Sequence, residues 1–204
     1  MTDSPWPIGL QVVVLAGGRS ERMGFHKLVE PFAGVPLARR LLLSLRELAP
    51  LVVATPAVAD TINDLRFARL IVTKPTPGPS ATLALAHAAF PYDRTLVVIP
   101  ADLPFLDAAH VRAFVARVAP DVDLAYPIVH GTPGHPVIWS PKARTRIPNL
   151  RDDEPPARVR RDPALRIAEM LEHDDAYVTD VDTPDAWRAA EAKAKTLARK
   201  AMEL

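Results

Sequence analysis

The 204-residue chain contains no cysteine. This excludes disulfides, thiolate metal sites and a cysteine nucleophile, and it is compatible with a reducing cytoplasm. Charge of one sign is also lacking. The 25 Lys and Arg residues almost balance the 24 Asp and Glu residues, leaving a formal net charge of +1. No global field therefore draws the chain to nucleic acid or to an anionic membrane. The first residues, MTDSPWPIGLQVVVLAGG, carry no basic segment, and their apolar run is too short for a signal peptide or a membrane span. No H-E-x-x-H motif is present, no cysteine accompanies the histidines, and no repeat of fixed period is present, so a zinc site is not expected. The remaining composition, 49% hydrophobic and 24% charged, is that of an ordinary globular protein. No linker divides it, so a single domain over residues 1–204 is expected.

Proline is abundant, at 22 residues, and it falls mostly between periodic segments. Four short apolar runs, Leu10–Leu15, Leu51–Ala54, Leu70–Val72 and Leu96–Ile99, suit strands buried on both faces. Asp123–Tyr126 and Pro136–Trp139 read as two more. Helical patterns lie at Leu37–Leu48, at Ser80–Phe90 behind a serine cap, at Asp107–Val118, near Ala164–Glu172, and at Thr183–Met202, where Thr183 precedes Pro184. Strands alternating with helices predict an α/β domain with a mostly parallel central sheet.

The stretch Leu15–Lys27, LAGGRSERMGFHK, follows the first strand directly. Ligands in open parallel sheets bind at the carboxyl ends of strands. Glycines there let the backbone approach a ligand and turn N–H groups toward an anion. Arg19, Arg22 and Lys27 then supply two guanidinium forks and an ammonium. Glycines and three cations on one loop predict a polyphosphate cradle. The stretch is neither the G-x-G-x-x-G fingerprint nor a Walker A loop.

LAGGRSERMGFHK resembles the signature of the nucleotidyltransferases that include molybdenum cofactor guanylyltransferase and cytidylyltransferase. Leu15, Ala16, Gly17, Gly18, Ser20, Arg22, Met23, Gly24 and Lys27 fit that pattern. GPSATLALAHAA, VVIPADLPFL, GTPGHPVIWS and TDVDTPDAW resemble later family segments in the expected order. The resemblance implies a Rossmann-like three-layer nucleotidyltransferase fold. It also implies transfer of a nucleoside monophosphate from a nucleoside triphosphate to a phosphorylated acceptor, with magnesium as cofactor and pyrophosphate as product. Molybdopterin is the family's best-known acceptor, and a molybdoenzyme or chaperone is the partner chain to expect.

In this reaction an acceptor phosphate oxygen attacks the α-phosphorus, so neutralising charge between two anions is the main problem. Lys27, Arg22 and Asp102 are the catalytic candidates. Leu15, Ala16, Gly17, Gly18, Arg19, Ser20, Arg22, Lys27 and Ser80 are the nucleotide-binding candidates, although Ser80 is equally explained as a helix cap. Asp102 follows a strand and Asp182 closes Asp180-Val-Asp182, where an extended chain would turn both carboxyl groups to one side. Asp102 and Asp182 are therefore the expected magnesium ligands, with Asp180 the weaker choice. His135 and Arg158 are the acceptor-side candidates; His26 and His130 read as solvated loop residues.

Asn149–Pro163, NLRDDEPPARVRRDP, is either a solvated charged surface or an acceptor-side loop that grips a phosphate. Two signals compete over the base. Gly17 resembles the guanylyl branch, and a glycine there would widen the pocket for a purine. GHPVIWS and the closing region resemble the cytidylyl branch, and the longer match favours cytidine triphosphate. A non-catalytic nucleotide-binding module and a nucleotidylyltransferase for a sugar phosphate or another phosphorylated metabolite stay open as alternatives.

Overall fold

The computed structural model describes residues 9–18 and 25–202. The strands are β1 (Leu10–Ala16), β2 (Pro31–Phe32), β3 (Val35–Pro36), β4 (Leu51–Ala54), β5 (Arg69–Val72), β6 (Thr95–Pro100), β7 (Leu124–Val129), β8 (Thr132–Pro133), β9 (Val137–Trp139) and β10 (Ile167–Glu172). The helices are α1 (Leu37–Ser44), α2 (Pro56–Asp60), α3 (Pro79–Ala88), α4 (Ala108–Ala116), α5 (Pro141–Arg144) and α6 (Pro184–Met202). One eight-stranded sheet runs in the order β10-β7-β9-β6-β1-β4-β5, with β8 paired to β7. β1, β4, β5 and β6 pair in parallel, β10 is parallel to β7, and β9 lies antiparallel between β6 and β7.

Side-chain alternation along the central strands builds two cores. Val12, Val14 and Ala16 of β1 pack with Val52, Val97 and Ile99 beneath α1, α4 and α6. Val13 packs with Val53, Leu96 and Val98 toward Leu83 and Ala86 of α3 and Ala143 of α5. Helices cover both faces, giving three layers. No described helix is long and apolar enough to cross a membrane.

The four apolar runs form strands as their pattern predicts, but Leu70–Val72 lies in the edge strand β5 and is not buried on both faces. Leu70 is 37% and Val72 54% exposed, because β5 ends the sheet and only β4 flanks it. The segment near Ala164–Glu172, expected to be helical, is instead the edge strand β10, in parallel register with β7 from Ile167↔Leu124 to Glu172↔Val129. An edge strand buries only part of its surface. The mixed apolar and charged pattern of IAEMLE therefore lacks the solid valine run that marks a central strand. The Leu37–Leu48 pattern divides into α1 and a separate turn of 3₁₀ helix at Arg46–Leu48. α3 starts earlier than its serine suggests. Gly78 is the cap residue and Pro79 the first helical residue, because proline needs no N–H partner there. Thr183 caps α6 as expected, its Oγ1 accepting from the Ala186 N–H at 3.2 Å.

Arg144 of α5 is fully buried without a carboxylate. Nη1 donates to the carbonyls of Pro91 (2.7 Å) and Arg94 (2.6 Å), and Nη2 to those of His87 (2.9 Å) and Phe90 (3.1 Å). Its Nε donates to His87 Nδ1 at 3.2 Å. One guanidinium thus satisfies the carbonyls that α3 and the following turn leave open. Burial holds both Arg144 and His87 below their usual ranges, and for His87 the neighbouring guanidinium adds to the effect. Arg144→Met keeps the stem but strands these carbonyls. It should cost about 3 kcal/mol or more, read as a fall in Tm of roughly 6–12 °C for a chain of this size. An unchanged Tm would show that water replaces the guanidinium without penalty.

Candidate functional site

The chain leaves β1 toward β4 and β5, then returns to place β6 on the other side of β1. Strand order therefore reverses between β1 and β6, and a crevice opens at their carboxyl ends. Their ends are in register: Leu15 pairs with Pro100, and the Ala101 N–H donates to the Leu15 carbonyl at 3.0 Å. A cavity of about 580 Å³ occupies this point. Leu15, Ala16, Gly17 and Gly18 line it from the end of β1, Asp102 from the end of β6, and Lys27 and Asp182 close it on one side.

Three residues far apart in sequence meet there. Lys27 Nζ donates to Asp102 Oδ2 at 2.7 Å and also to Asp182 Oδ1. The lysine side chain is 10% exposed, Asp102 19% and Asp182 38%. Burial pulls the Lys27 pKa down, but the charges and hydrogen bonds of Asp102 and Asp182 outweigh it and hold the ammonium above its ordinary range. Lys27 is therefore a buried, firmly protonated cation. Its neighbour Leu28 is buried, and the Leu28 carbonyl accepts from the Ala38 N–H at 3.0 Å, which anchors the lysine to the start of α1.

Asp182 is delivered by α6. Val181 before it is fully buried. Trp187 stands edge-on to Phe32 at 5.2 Å and to Phe25 at 5.6 Å between ring centroids. Glu191 accepts from the Ala33 N–H at 3.1 Å. These contacts press the first turns of α6 against the segment that carries Lys27. Asp180 lines a second cavity of about 240 Å³, which shares Asp102 and His135 with the first. The two carboxyl groups of Asp180 and Asp182 thus serve different cavities rather than one.

The residues present fit a divalent cation. Asp102 Oδ2 and Asp182 Oδ1 already converge on one ammonium, so a cation position exists between them. Asp102 Oδ1 is buried with no hydrogen-bond partner among the described residues. Among the described residues no group of three or more His, Asp or Glu side chains forms a complete cage. Two carboxylates without a cage suit magnesium, which keeps water and takes substrate phosphates as its other ligands.

Gly17 has a different role from the one its sequence context suggests. A Cβ at this position would meet Thr82 Oγ1 at 2.8 Å and Thr82 Cγ2 at 3.0 Å. The Thr82 hydroxyl lies 2.7 Å from that of Thr76, and Thr76 Oγ1 donates to the Gly17 carbonyl at 3.1 Å. The missing side chain therefore makes room for a threonine pair rather than opening space for a larger base. Thr76 and Thr82 are cavity-lining residues that the sequence reading missed. Ser80, the expected contact, is buried with its hydroxyl donating to the Glu154 carbonyl. A Cβ on Gly78 would come within 2.7 Å of the Asp152 carbonyl oxygen. The charged segment therefore packs on the first turn of α3 instead of standing free in solvent.

That segment also sorts its arginines. Arg158, the expected acceptor-side residue, is exposed and pairs with Glu154 at 2.8 Å. Arg160 lines the cavity instead. The segment Pro156–Arg161 forms a 3₁₀ turn, and its tight winding separates the two directions. His135 lines the cavity as expected. Burial drives its pKa down to about 4; the Asp102 charge and a Val98 backbone contact oppose this, while Arg160 adds to it. The imidazole is therefore neutral at pH 7. His26 is half-buried, with Nε2 3.5 Å from Thr55 Oγ1, and His130 is exposed. Arg19, Ser20 and Arg22 lie outside the described residues.

The lysine bridge predicts competition between ammonium and metal. Lys27→Met should melt below the parent protein in metal-free buffer, because two carboxyl groups lose a shared cation. Added magnesium should then raise its Tm by more than it raises that of the parent. Equal responses would mean that the metal does not enter between Asp102 and Asp182. For the glycine, Gly17→Ala should cost about 1–3 kcal/mol by overpacking. Adding Thr82→Ala should recover part of that loss in thermal melts. Additive losses would disconnect the two positions.

Comparisons with known proteins bear on the family and the fold. Residues 12–170 match the family described as the MobA-like NTP transferase domain. A molybdenum cofactor guanylyltransferase from Xanthomonas euvesicatoria pv. vesicatoria is 38% identical over 104 residues, covering 51% of this chain and 52% of that protein. The bifunctional protein GlmU of Sphingopyxis alaskensis is 29% identical over 175 residues, covering 82% of this chain and 35% of the relative. The matches thus span about half or less of these relatives' own length. The crystal structure of Rv0371c from Mycobacterium tuberculosis H37Rv, in complex with manganese, superposes with a TM-score of 0.71 at 20% identity, covering 89% of this chain and 97% of that one. Because that family model matches residues 12–170, well over half of the chain, the chain belongs to the MobA-like NTP transferase family.

Proposed function

We propose that the chain is a magnesium-dependent nucleotidyltransferase that works as one domain over residues 1–204. It transfers a nucleoside monophosphate from a nucleoside triphosphate, with cytidine triphosphate favoured over guanosine triphosphate, to a phosphorylated acceptor of the molybdopterin type. Pyrophosphate is released. Its setting is the cytoplasm, a compartment compatible with a cysteine-free chain.

The observation that carries this reading is the meeting of Lys27, Asp102 and Asp182 beside the glycine turn. Gly17 and Gly18 let the triphosphate approach the end of β1. Lys27 holds its proton throughout and offers a fixed positive charge to the phosphate oxygens where negative charge builds up. Asp102 and Asp182 would hold the metal, which would neutralise phosphate charge; the manganese bound by the Mycobacterium tuberculosis relative supports a divalent ion in this fold. The acceptor phosphate is already ionised, so no general base is needed, and the neutral His135 lines the site without trading protons.

Cytidine is favoured for two reasons. Thr82 fills the space that Gly17 leaves, which removes the argument for a widened purine pocket. The Asp152–Asp153 backbone closes over Gly78 at the same end of the cavity. The guanylyltransferase relative argues the other way, so the preference is a modest one.

Pyrophosphate release from a panel of triphosphates, with molybdopterin as acceptor, tests the proposal. Cytidine triphosphate should give the highest kcat/KM. Lys27→Ala should lower turnover by about a hundredfold, as for loss of one preorganised charge-stabilising group. Asp102→Asn should abolish the response to magnesium, and Asp182→Asn should reduce it. Turnover of guanosine triphosphate alone would overturn the base preference. No pyrophosphate release with any triphosphate would favour a binding module.

A further inference from the structure

We propose that Arg160 is the anion-binding residue of the acceptor side, a guanidinium that grips the acceptor's phosphate within the cavity. This rests on the reading of the site as a nucleotidyltransferase centre.

The position of Arg160 comes from the strand order. Gly17 follows β1, Asp102 follows β6, and His135 leads into β9. Arg160 stands over Tyr126 of β7, its guanidinium carbon 3.9 Å from the ring centroid. β1 and β7 are three strands apart, which at ordinary spacing is about 14 Å across the sheet. The metal candidate Asp102 follows β6, a strand between them. The glycine turn and Arg160 are thus the two ends of one cavity with the reacting centre between. In-line transfer needs the leaving pyrophosphate and the attacking phosphate on opposite sides of the α-phosphorus. If the triphosphate takes the glycine end, the acceptor must come from the side of Arg160.

The charge of Arg160 is kept available. Arg158 is paired to Glu154 and Arg146 to Asp162, whereas no described carboxylate forms an ion pair with Arg160. The nearby Glu169 accepts instead from the Tyr126 hydroxyl. Burial works against the charged guanidinium, and the Tyr126–Glu169 pair opposes that only through space. A half-buried arginine that faces a cavity without a carboxylate partner is a receptor for an incoming anion. The planar fork suits a phosphate monoester, and the face of Tyr126 fixes the plane of that fork.

The test separates the acceptor end from the triphosphate end. Cytidine 5′-(α,β-methylene)triphosphate with magnesium fills the nucleotide site, and inorganic phosphate is then titrated by calorimetry. The parent should bind phosphate. Arg160→Met should weaken phosphate by at least about tenfold, as for loss of a charged hydrogen-bonding partner, and leave the affinity for the nucleotide analogue unchanged. Arg160→Lys should recover part of the loss. Tyr126→Phe should release Glu169 to pair with Arg160 and weaken phosphate, and adding Glu169→Gln should restore it. A purely structural arginine would not show that rescue. Equal phosphate affinity in parent and Arg160→Met, no phosphate binding by the parent, or loss of analogue affinity in Arg160→Met would each overturn the proposal. Failure of the analogue to bind the parent would count against the nucleotidyltransferase reading instead, and the dependence of phosphate binding on Arg160 would then be read on the protein alone.

Discussion

The site depends on one ammonium shared between two carboxyl groups. Lys27 follows the glycine-rich loop, Asp102 follows β6 and Asp182 precedes α6. They lie 75 or more residues apart in the chain, and the contacts of Trp187 and Glu191 with the segment around Lys27 help to bring them together. Taking two carboxylates and an ammonium partly out of water is costly unless they satisfy one another. The fold meets that cost by packing Trp187, Phe32 and Phe25 beside the cluster, so that α6 cannot drift away from Lys27. Such an arrangement is poor as a stabilising device and well suited to exchange: a metal and a polyphosphate can replace one set of ionic contacts with another at little net cost.

Around that cluster the cavity has two chemically different ends. The threonine pair and the first turn of α3 form one, where backbone and hydroxyl groups face inward. The wall built from β7, β9 and the 3₁₀ turn at Pro156–Arg161 forms the other, with Arg160 over Tyr126 and the neutral His135. The charged segment that joins the ends is tied to α3 by the Ser80 hydroxyl and by the close approach of Asp152 to Gly78. One stretch of chain thus limits the space at one end and carries the cation of the other.

Much of this is legible in the sequence, for physical reasons. β1, β4 and β6 are central strands buried on both faces, so unbroken valine-rich runs announce them. Glycines directly after the first strand announce a turn that lines the cavity, and Thr183-Pro184 announces the start of α6. What is not legible depends on tertiary contact. β10 sits at the sheet edge, where partial exposure blurs its pattern. Arg144 in PKAR has the local look of a solvated residue, yet α3 supplies carbonyls that bury it. Arg158 and Arg160 are indistinguishable by composition, and only the winding of their turn sends one outward and the other into the cavity. The reason for Gly17 lies in Thr82, sixty-five residues away.

The central claim is that Asp102 and Asp182 exchange the Lys27 ammonium for a divalent ion when a triphosphate arrives. Manganese binding followed by electron paramagnetic resonance, with and without cytidine triphosphate, tests it most directly. The account predicts weak binding by the protein alone, marked tightening when protein and triphosphate are both present, and loss of that tightening in Asp102→Asn. Equal tightening in Asp102→Asn and the parent would contradict it, because the metal would then be held by the nucleotide and by residues other than this pair.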